Sequence, residues 1–420
     1  MTLRFLFIYL LLTAGVLLRV ILAPIALPFN DGEAIALNTR IISSPQDLGN
    51  SKRVQVSLEG RDVTLILPKF SKTEYGQLVE VSGIAQTKVL ANGQVVNSIY
   101  YPRISPQQDF VLPFQLASLI RKRVSESFHS YLSPSQASLL MGIVFGISSD
   151  LDKETKTIFQ TIGVMHVIAA SGMNVTLLAG FLLPIFMRVL TSRQSILLTI
   201  ALLCFYTLLA GLSASIVRAT LMASLGFIGL LLGRQKTALV SLYLTGCMML
   251  LISPTLVSDI GFQLSFAATL GIMLIAPLLP SFRLGKLSAF FSEDLKSTLS
   301  AQITTTPILV YYFKTLGLLA VVVNILVLWT IPPLMILGSV SAIVSLVSIS
   351  LGGLLSLLTM PLLAYFLTVT RLVASVSPQL TLTSLPLSLV LGYYLLLSAI
   401  LLFVSRLPKK QLETSERKNA

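Results

Sequence analysis

Long apolar runs dominate the chain, interrupted by one stretch of short alternating segments and by a few polar clusters. The first run covers 5–18, flanked by Arg4 and Arg19, and resumes over 20–29. No small-residue cleavage site follows it, so the expectation is an uncleaved anchor over 1–29 with a cytoplasmic N-terminus; a cleaved signal peptide is the other reading. Further runs lie at 162–187, 195–212, 214–233, 237–252, 264–280, 297–313, 318–350 and 386–405. Together they predict about nine or ten spans including the first. The apolar piece 138–147 is too short to span and reads as re-entrant. The Leu-rich stretch 351–377, broken by Gly and Pro, has no assigned topology.

Residues 30–110 follow a different rhythm. Val54, Val56 and Leu58 fall on one face, then Val63, Leu65 and Leu67, with Glu59-Gly60-Arg61-Asp62 as a turn between them. Leu78 to Ile84 reads as another strand, and Asn92-Gly93 marks a hairpin. About five short strands suggest a small OB-like barrel, although SH3-like barrels share this pattern. Over 111–132 the period becomes helical: Leu116, Leu119, Ile120, Val124 and Phe128 recur around Arg121-Lys122-Arg123. This is an amphipathic helix, either interfacial or packed on the barrel. Ser149, followed by Asp150, Asp152 and Glu154, is expected to cap a short polar helix. Residues 133–406 form the expected transmembrane domain and 407–420 a basic tail. The fold class is thus an α-helical polytopic membrane protein with a small N-terminal β-domain.

Composition agrees. Of 420 residues, 54% are hydrophobic and 11% charged, against about 25% charged in a soluble domain. A soluble enzyme is excluded, because large apolar patches would face water. The net charge of +13 is uneven: residues 31–110 hold 8 bases and 8 acids, so the surplus lies elsewhere. Most of it fits cytoplasmic loops at Arg188/Arg193, Arg234/Lys236 and Arg283/Lys286/Lys296, and the tail from Arg406. That places the β-domain outside and the tail inside. Two cysteines and two histidines offer no metal-ligand spacing. There is no nucleotide-binding loop, nucleophile elbow or paired-carboxylate site. No metal, cofactor or catalytic residue is expected, and the chain does not read as an enzyme.

Polar groups at membrane depth are unfavourable unless they face protein or water, and five clusters stand out. In Gly163-Val-Met-His166-Val-Ile-Ala-Ala-Ser171-Gly172-Met-Asn174, His166 and Asn174 share a helix face. This is either a polar seam lining a cavity or a hydrogen-bonded helix contact. Arg218 sits deep in its run, facing either a passage or a carboxylate, with Asp259 the candidate partner. Asp259 and Gln263 share a face in Asp259-Ile-Gly-Phe-Gln-Leu-Ser-Phe266; Asp259 is alternatively the N-cap of a helix from Ile260. Gln302 leads through three threonines to Pro307, which frees a carbonyl for the Thr hydroxyls or water to satisfy. Asn324 precedes Pro332-Pro333, which predict two shorter pieces over 318–350.

Taken in order, these segments resemble the competence domain of the ComEC family of DNA-uptake channels. Asp259 to Phe266 followed by Gly271 carries the resemblance most strongly, then Gly163 to Gly172, Gly211 to Met222 with Arg218-Ala219, and Ala301-Gln302 through Pro307 to Asn324. Gly76-Gln-Leu-Val-Glu-Val-Ser-Gly83 is similar to a strand of the family's extracytoplasmic OB-like domain. The resemblance implies an inner-membrane channel importing single-stranded DNA during natural transformation. His166, Ser171, Asn174, Arg218, Asp259, Gln263, Gln302 and Asn324 would line or shape the passage. Tyr100, Tyr101 and Arg103 would stack on bases and contact phosphate, and Arg121, Lys122 and Arg123 would attract the strand near the mouth. The implied partners are an external DNA receptor, a cytoplasmic helicase-like motor and a separate nuclease.

Two departures limit the resemblance. Asn174 stands where the family commonly has a second histidine. The last run is followed by a short basic tail, so the metallo-β-lactamase-like nuclease domain of many members is not expected. The alternative reading keeps the fold for a transporter or lipid-handling protein with a non-DNA substrate, motivated by the neutral charge of 31–110. An intramembrane hydrolase using His166 and Ser171 is disfavoured, because residues five apart on a helix point in different directions.

Overall fold

The computed structural model describes residues 3–22, 31–42, 45–47, 51–58, 61–71, 73–89, 95–106, 111–147, 151–165, 172–233, 237–280, 288–316, 319–377, 380–381 and 386–406. The anchor is one helix, α1 (Leu3–Leu22). Strands β1 (Ala34–Arg40), β2 (Gln46–Asp47), β3 (Ser51–Leu58), β4 (Arg61–Pro68), β5 (Leu78–Val89), β6 (Val95–Tyr100) and β7 (Arg103–Pro106) follow it. Their alternation buries Val54, Val56, Val63, Leu65, Leu67, Val79, Val81 and Ile99 in a core of their own. The order is β1-β5-β6-β4-β3-β2, with β7 also paired to β5.

The sheet is open, which corrects the expected barrel. β1 is taken along its whole length by β5, from Ala34↔Ile84 to Arg40↔Leu78. Only the next residue reaches across, as an isolated Ile41↔Val56 bridge, so no ladder closes β1 onto β3. β5 changes partner along its length, from β1 and β7 to β6. Gly83 sits at that change, where an added Cβ would lie 2.6 Å from the Ile99 side chain. Asn92-Gly93 lies outside the described residues, between strands that pair at Val89↔Val95.

The helical part begins with α2 (Leu112–Tyr131), the buried short helix α3 (Pro134–Phe145) and α4 (Lys153–Thr161). Ser149 lies outside the described residues; the cap of α4 is Asp152, whose carboxylate accepts from the Thr155 N–H at 3.0 Å. Then come α5 (Gly172–Phe186), α6 (Ser192–Leu209), α7 (Ala214–Leu231), α8 (Ala238–Ile252), α9 (Ile260–Leu274), α10 (Ser288–Phe313), α11 (Ala320–Val327), α12 (Ile331–Val347), α13 (Ile349–Ser356), α14 (Met360–Val376) and α15 (Leu387–Arg406). Among the described residues six helical stretches are long and apolar enough to cross a membrane, with four shorter apolar helices beside them. About nine or ten spans including the first were expected; the described part of the run 162–187 includes the helix Gly172–Phe186, and the run 237–252 is a helix of 15 residues. The break in 318–350 falls on a 3₁₀ turn, Leu328–Thr330, leaving Pro332 and Pro333 in the first turn of α12, where proline fits.

Pro307 lies inside α10 and cannot donate to the Ile303 carbonyl one turn back. The threonines expected to satisfy that carbonyl bond elsewhere: Thr304, Thr305 and Thr306 donate to carbonyls of residues 300–302. The donor comes from α15, where the Tyr393 hydroxyl bonds the Ile303 carbonyl at 3.0 Å; beside it the Tyr394 hydroxyl adds a bond to the Thr304 carbonyl at 2.6 Å. A Tyr393→Phe variant should therefore lose about 0.6–1.7 kcal/mol, the range of hydrogen bonds between membrane helices. In a Pro307→Ala background, where the backbone N–H returns, the same change should have a smaller effect. Thermal unfolding of the four proteins of this cycle in detergent measures the difference.

Candidate functional site

Arg218 lies in the second turn of α7 and is 7% exposed. Its Nε donates to the Ser265 hydroxyl at 2.7 Å, and Nη1 approaches the Met222 sulfur at 3.4 Å. The Ser265 hydroxyl donates in turn to Ser215 at 3.1 Å, one turn before Arg218 on the same helix. Ser265 thus belongs to a chain that fixes the guanidinium, between two residues of α7. The Phe266 ring lies 6.0 Å from the guanidinium and against Phe262, with centroids 4.3 Å apart. On the α5 side, an added Cβ at Gly172 would sit 3.1 Å from Nη2, so glycine lets the two helices close around the cation.

The expected carboxylate partner is engaged elsewhere. Asp259 caps α9, its Oδ1 accepting from the Phe262 N–H at 2.6 Å. Gln263 donates from Nε2 to the Val257 carbonyl at 2.8 Å. The segment from Asp259 to Phe266 therefore divides its work: Asp259 and Gln263 fold the turn, while Ser265 and Phe266 reach the cation. Among the described residues no carboxylate pairs with Arg218. Sequence reasoning missed Ser265 and Ser215; the available signal was a serine one turn before Arg218 and another in the strongest family segment.

Asn174, 1% exposed, donates to the Ile143 carbonyl at 2.9 Å, beside Tyr206, whose hydroxyl bonds the Val144 carbonyl at 3.0 Å. Both satisfy the C-terminal carbonyls of α3, which ends inside the apolar body. His166 and Ser171 lie outside the described residues. Gln302 is half-buried on α10. Asn324 is buried on α11 with its Oδ1 unpartnered. Neither Gln302 nor Asn324 is hydrogen-bonded to Arg218.

Arg121 is 6% exposed, with its guanidinium turned inward. Nε donates to the Leu209 carbonyl at 2.7 Å, and the plane lies 3.6 Å from the centre of the Tyr75 ring. The Tyr75 hydroxyl donates to the Leu208 carbonyl at 2.8 Å. These groups cap the end of α6 where the chain turns through Gly211 (φ 90°) and Leu212 (φ 56°) into α7. Arg40, at the end of β1, covers Phe114 at 4.5 Å and donates to the Gly76 carbonyl. Lys122 is exposed and Arg123 half-buried.

On the sheet, Tyr100, Tyr101 and Arg103 are exposed. β4 and β6 run parallel, with Ile66 opposite Tyr100. Phe70, which follows β4 and is 89% exposed, therefore leaves the sheet at the same end as the two tyrosines. Sequence reasoning missed it, since a lone Phe beyond a strand carries no pattern. Among the described residues no group of three or more His, Cys, Asp or Glu could hold a metal.

A multi-pass helical membrane protein, fronted by an open β-sheet and holding a buried cation with no carboxylate partner among the described residues, is the class this architecture defines. A family model described as Competence protein matches residues 143–407, and the chain belongs to that family. It is also similar to ComE operon protein 3 of Bacillus subtilis (strain 168), 28% identical over 210 residues that cover 49% of this chain and 26% of the relative. The match thus spans about a quarter of the relative's length. No solved structure matches the chain. The ComEC-family resemblance read from the sequence is borne out.

Burial raises the Tyr75 phenol above its ordinary value of 10.0, against the opposing charges of Arg121 and Arg40. The phenol donates to Leu208 only while protonated, so the folded chain holds that proton more tightly than the unfolded one. Its contribution is complete below the ordinary value and is lost as pH rises through the folded one. Thermal stability should therefore fall above pH 10, and Tyr75→Phe should lose that component while being less stable at neutral pH.

Proposed function

We propose that this chain is an inner-membrane channel that imports single-stranded DNA during natural transformation. The observation that carries the reading is Arg218, a buried guanidinium fixed by family-segment residues with no carboxylate among the described residues to neutralise it. A cation so placed favours a passing anion, and a phosphate backbone supplies one per nucleotide. Outside, Tyr100, Tyr101 and Arg103 would offer a stacking and phosphate-binding face, with Phe70 extending it. The proposed organisation keeps 1–29 as anchor, 30–110 outside, 133–406 as passage and 407–420 in the cytoplasm. His166, Ser171, Asn174, Asp259, Gln263, Gln302 and Asn324 would line or shape the passage. No covalent step is involved; an external DNA receptor, a cytoplasmic motor and a separate nuclease would deliver, pull and trim the strand.

Arg218→Ala should reduce internalisation of labelled DNA in a competent host by roughly tenfold or more, the worth of one charge-assisted contact. The protein should remain at normal level in the membrane. Unchanged internalisation would make Arg218 structural only. The neutral charge of residues 31–110 favours a second reading, a transporter or lipid-handling protein of the same fold. Normal uptake in a deletion strain would favour it.

A further inference from the structure

α2 crosses the ends of other helices. Arg121 meets the last carbonyl of α6, and the Ser127 hydroxyl donates at 2.7 Å to the carbonyl of Ile349, the first residue of α13. Ala117, Arg121, Val124, Ser127 and Phe128 form its buried face. The opposite face carries Leu112, Leu116, Leu119 and Arg123, at i, i+4, i+7 and i+11, with Lys122 beside it. The three leucines are exposed. The Arg123 Nε is buried and has no hydrogen-bond partner. α12 and α13, which pack on α2, contain no charged residue. Glu126, one turn on, is exposed and does not pair with Arg123. A helix lying across a bundle end thus presents an apolar stripe that finishes in two bases, Lys122 exposed and Arg123 half-buried.

We infer that this face of α2 binds an anionic phospholipid, with acyl chains on Leu112, Leu116 and Leu119 and the phosphate held by Arg123 and Lys122. The leucines define the occupant as a lipid, because a nucleic acid strand gains nothing from an aliphatic stripe. The bases define it as anionic, since exposed Lys122 and half-buried Arg123 at the end of the stripe favour a phosphate without a neutralising choline. The inference reassigns Lys122 and Arg123 from the DNA strand to a lipid, while Arg218 and the sheet face take no part in it.

The test uses the full chain in nanodiscs of phosphatidylcholine with graded phosphatidylglycerol, and native mass spectrometry to count retained lipids. The wild-type protein should retain phosphatidylglycerol preferentially, and less so at high salt. Lys122→Gln with Arg123→Gln should lower that preference by about fivefold per base, leaving phosphatidylcholine retention and melting in pure phosphatidylcholine unchanged. Leu116→Ser with Leu119→Ser should weaken retention of both lipids, and Arg123→Lys should keep the preference. An unchanged preference in the double glutamine variant overturns the assignment. So does absence of any preference in the wild-type protein, a measurement that needs no variant. If the glutamine variant instead loses affinity only for a single-stranded oligonucleotide, the pair contacts nucleic acid and the lipid assignment fails.

Discussion

A backbone carbonyl freed inside an apolar body must find a donor, and this requirement organises the helical part of the protein. A regular helix satisfies itself; a helix that ends or kinks at depth leaves groups that water cannot reach. α3 ends within the core and is met by Asn174 and Tyr206. α6 ends under the sheet and is met by Tyr75 and Arg121. α10 is opened by Pro307 and is met by Tyr393 and Tyr394. Near the break before Pro332, the Leu326 carbonyl is met by Tyr365. Each interruption is thus also a tie to an element distant in sequence, and the broken helices hold the bundle together at the places where they break.

The same rule sorts the polar residues. Most side chains that stand out by polarity serve the backbone: Asn174 on α3, Asp259 on α9, Gln263 on the turn before it. Arg218 differs, because its donors meet a serine hydroxyl and a thioether, neither of which carries charge. Burying a guanidinium among such groups is unfavourable unless an anion visits it. This is why function is sought at Arg218, and why the surrounding serines matter more than the nearest acid in the sequence.

The sheet joins the bundle through Tyr75, Arg121 and the Arg40–Phe114 contact. A cation stacked on a ring while donating to a helix end combines two interactions in one desolvated place. The turn they hold, with positive φ at both Gly211 and Leu212, leads directly into the helix that bears Arg218. Attachment of the sheet and placement of the buried cation therefore share one turn of backbone.

The sequence by itself determined the class, the alternation of the sheet and the segments that matter. Run length and low charge exclude a soluble fold, and period-two hydrophobicity around Val54 to Leu67 dictates paired strands, because these are local properties of the chain. It also marked Pro307, Arg218 and the segment from Asp259 as exceptional, since each breaks a local rule. Partners were not legible, because partnership depends on which side chains meet across long stretches of chain. Only the tertiary structure decided that β1 is occupied by β5, so the sheet stays open. It alone showed that Asp259 caps its own helix rather than neutralising Arg218, that a tyrosine rather than a threonine satisfies the carbonyl freed by Pro307, and that Arg121 faces inward while Arg123 does not. Arg121 and Arg123 are identical in type and two residues apart. The roughly 200° between them on a helix separates a clamp on α6 from a base on the outer stripe, and only packing says which side faces the bundle.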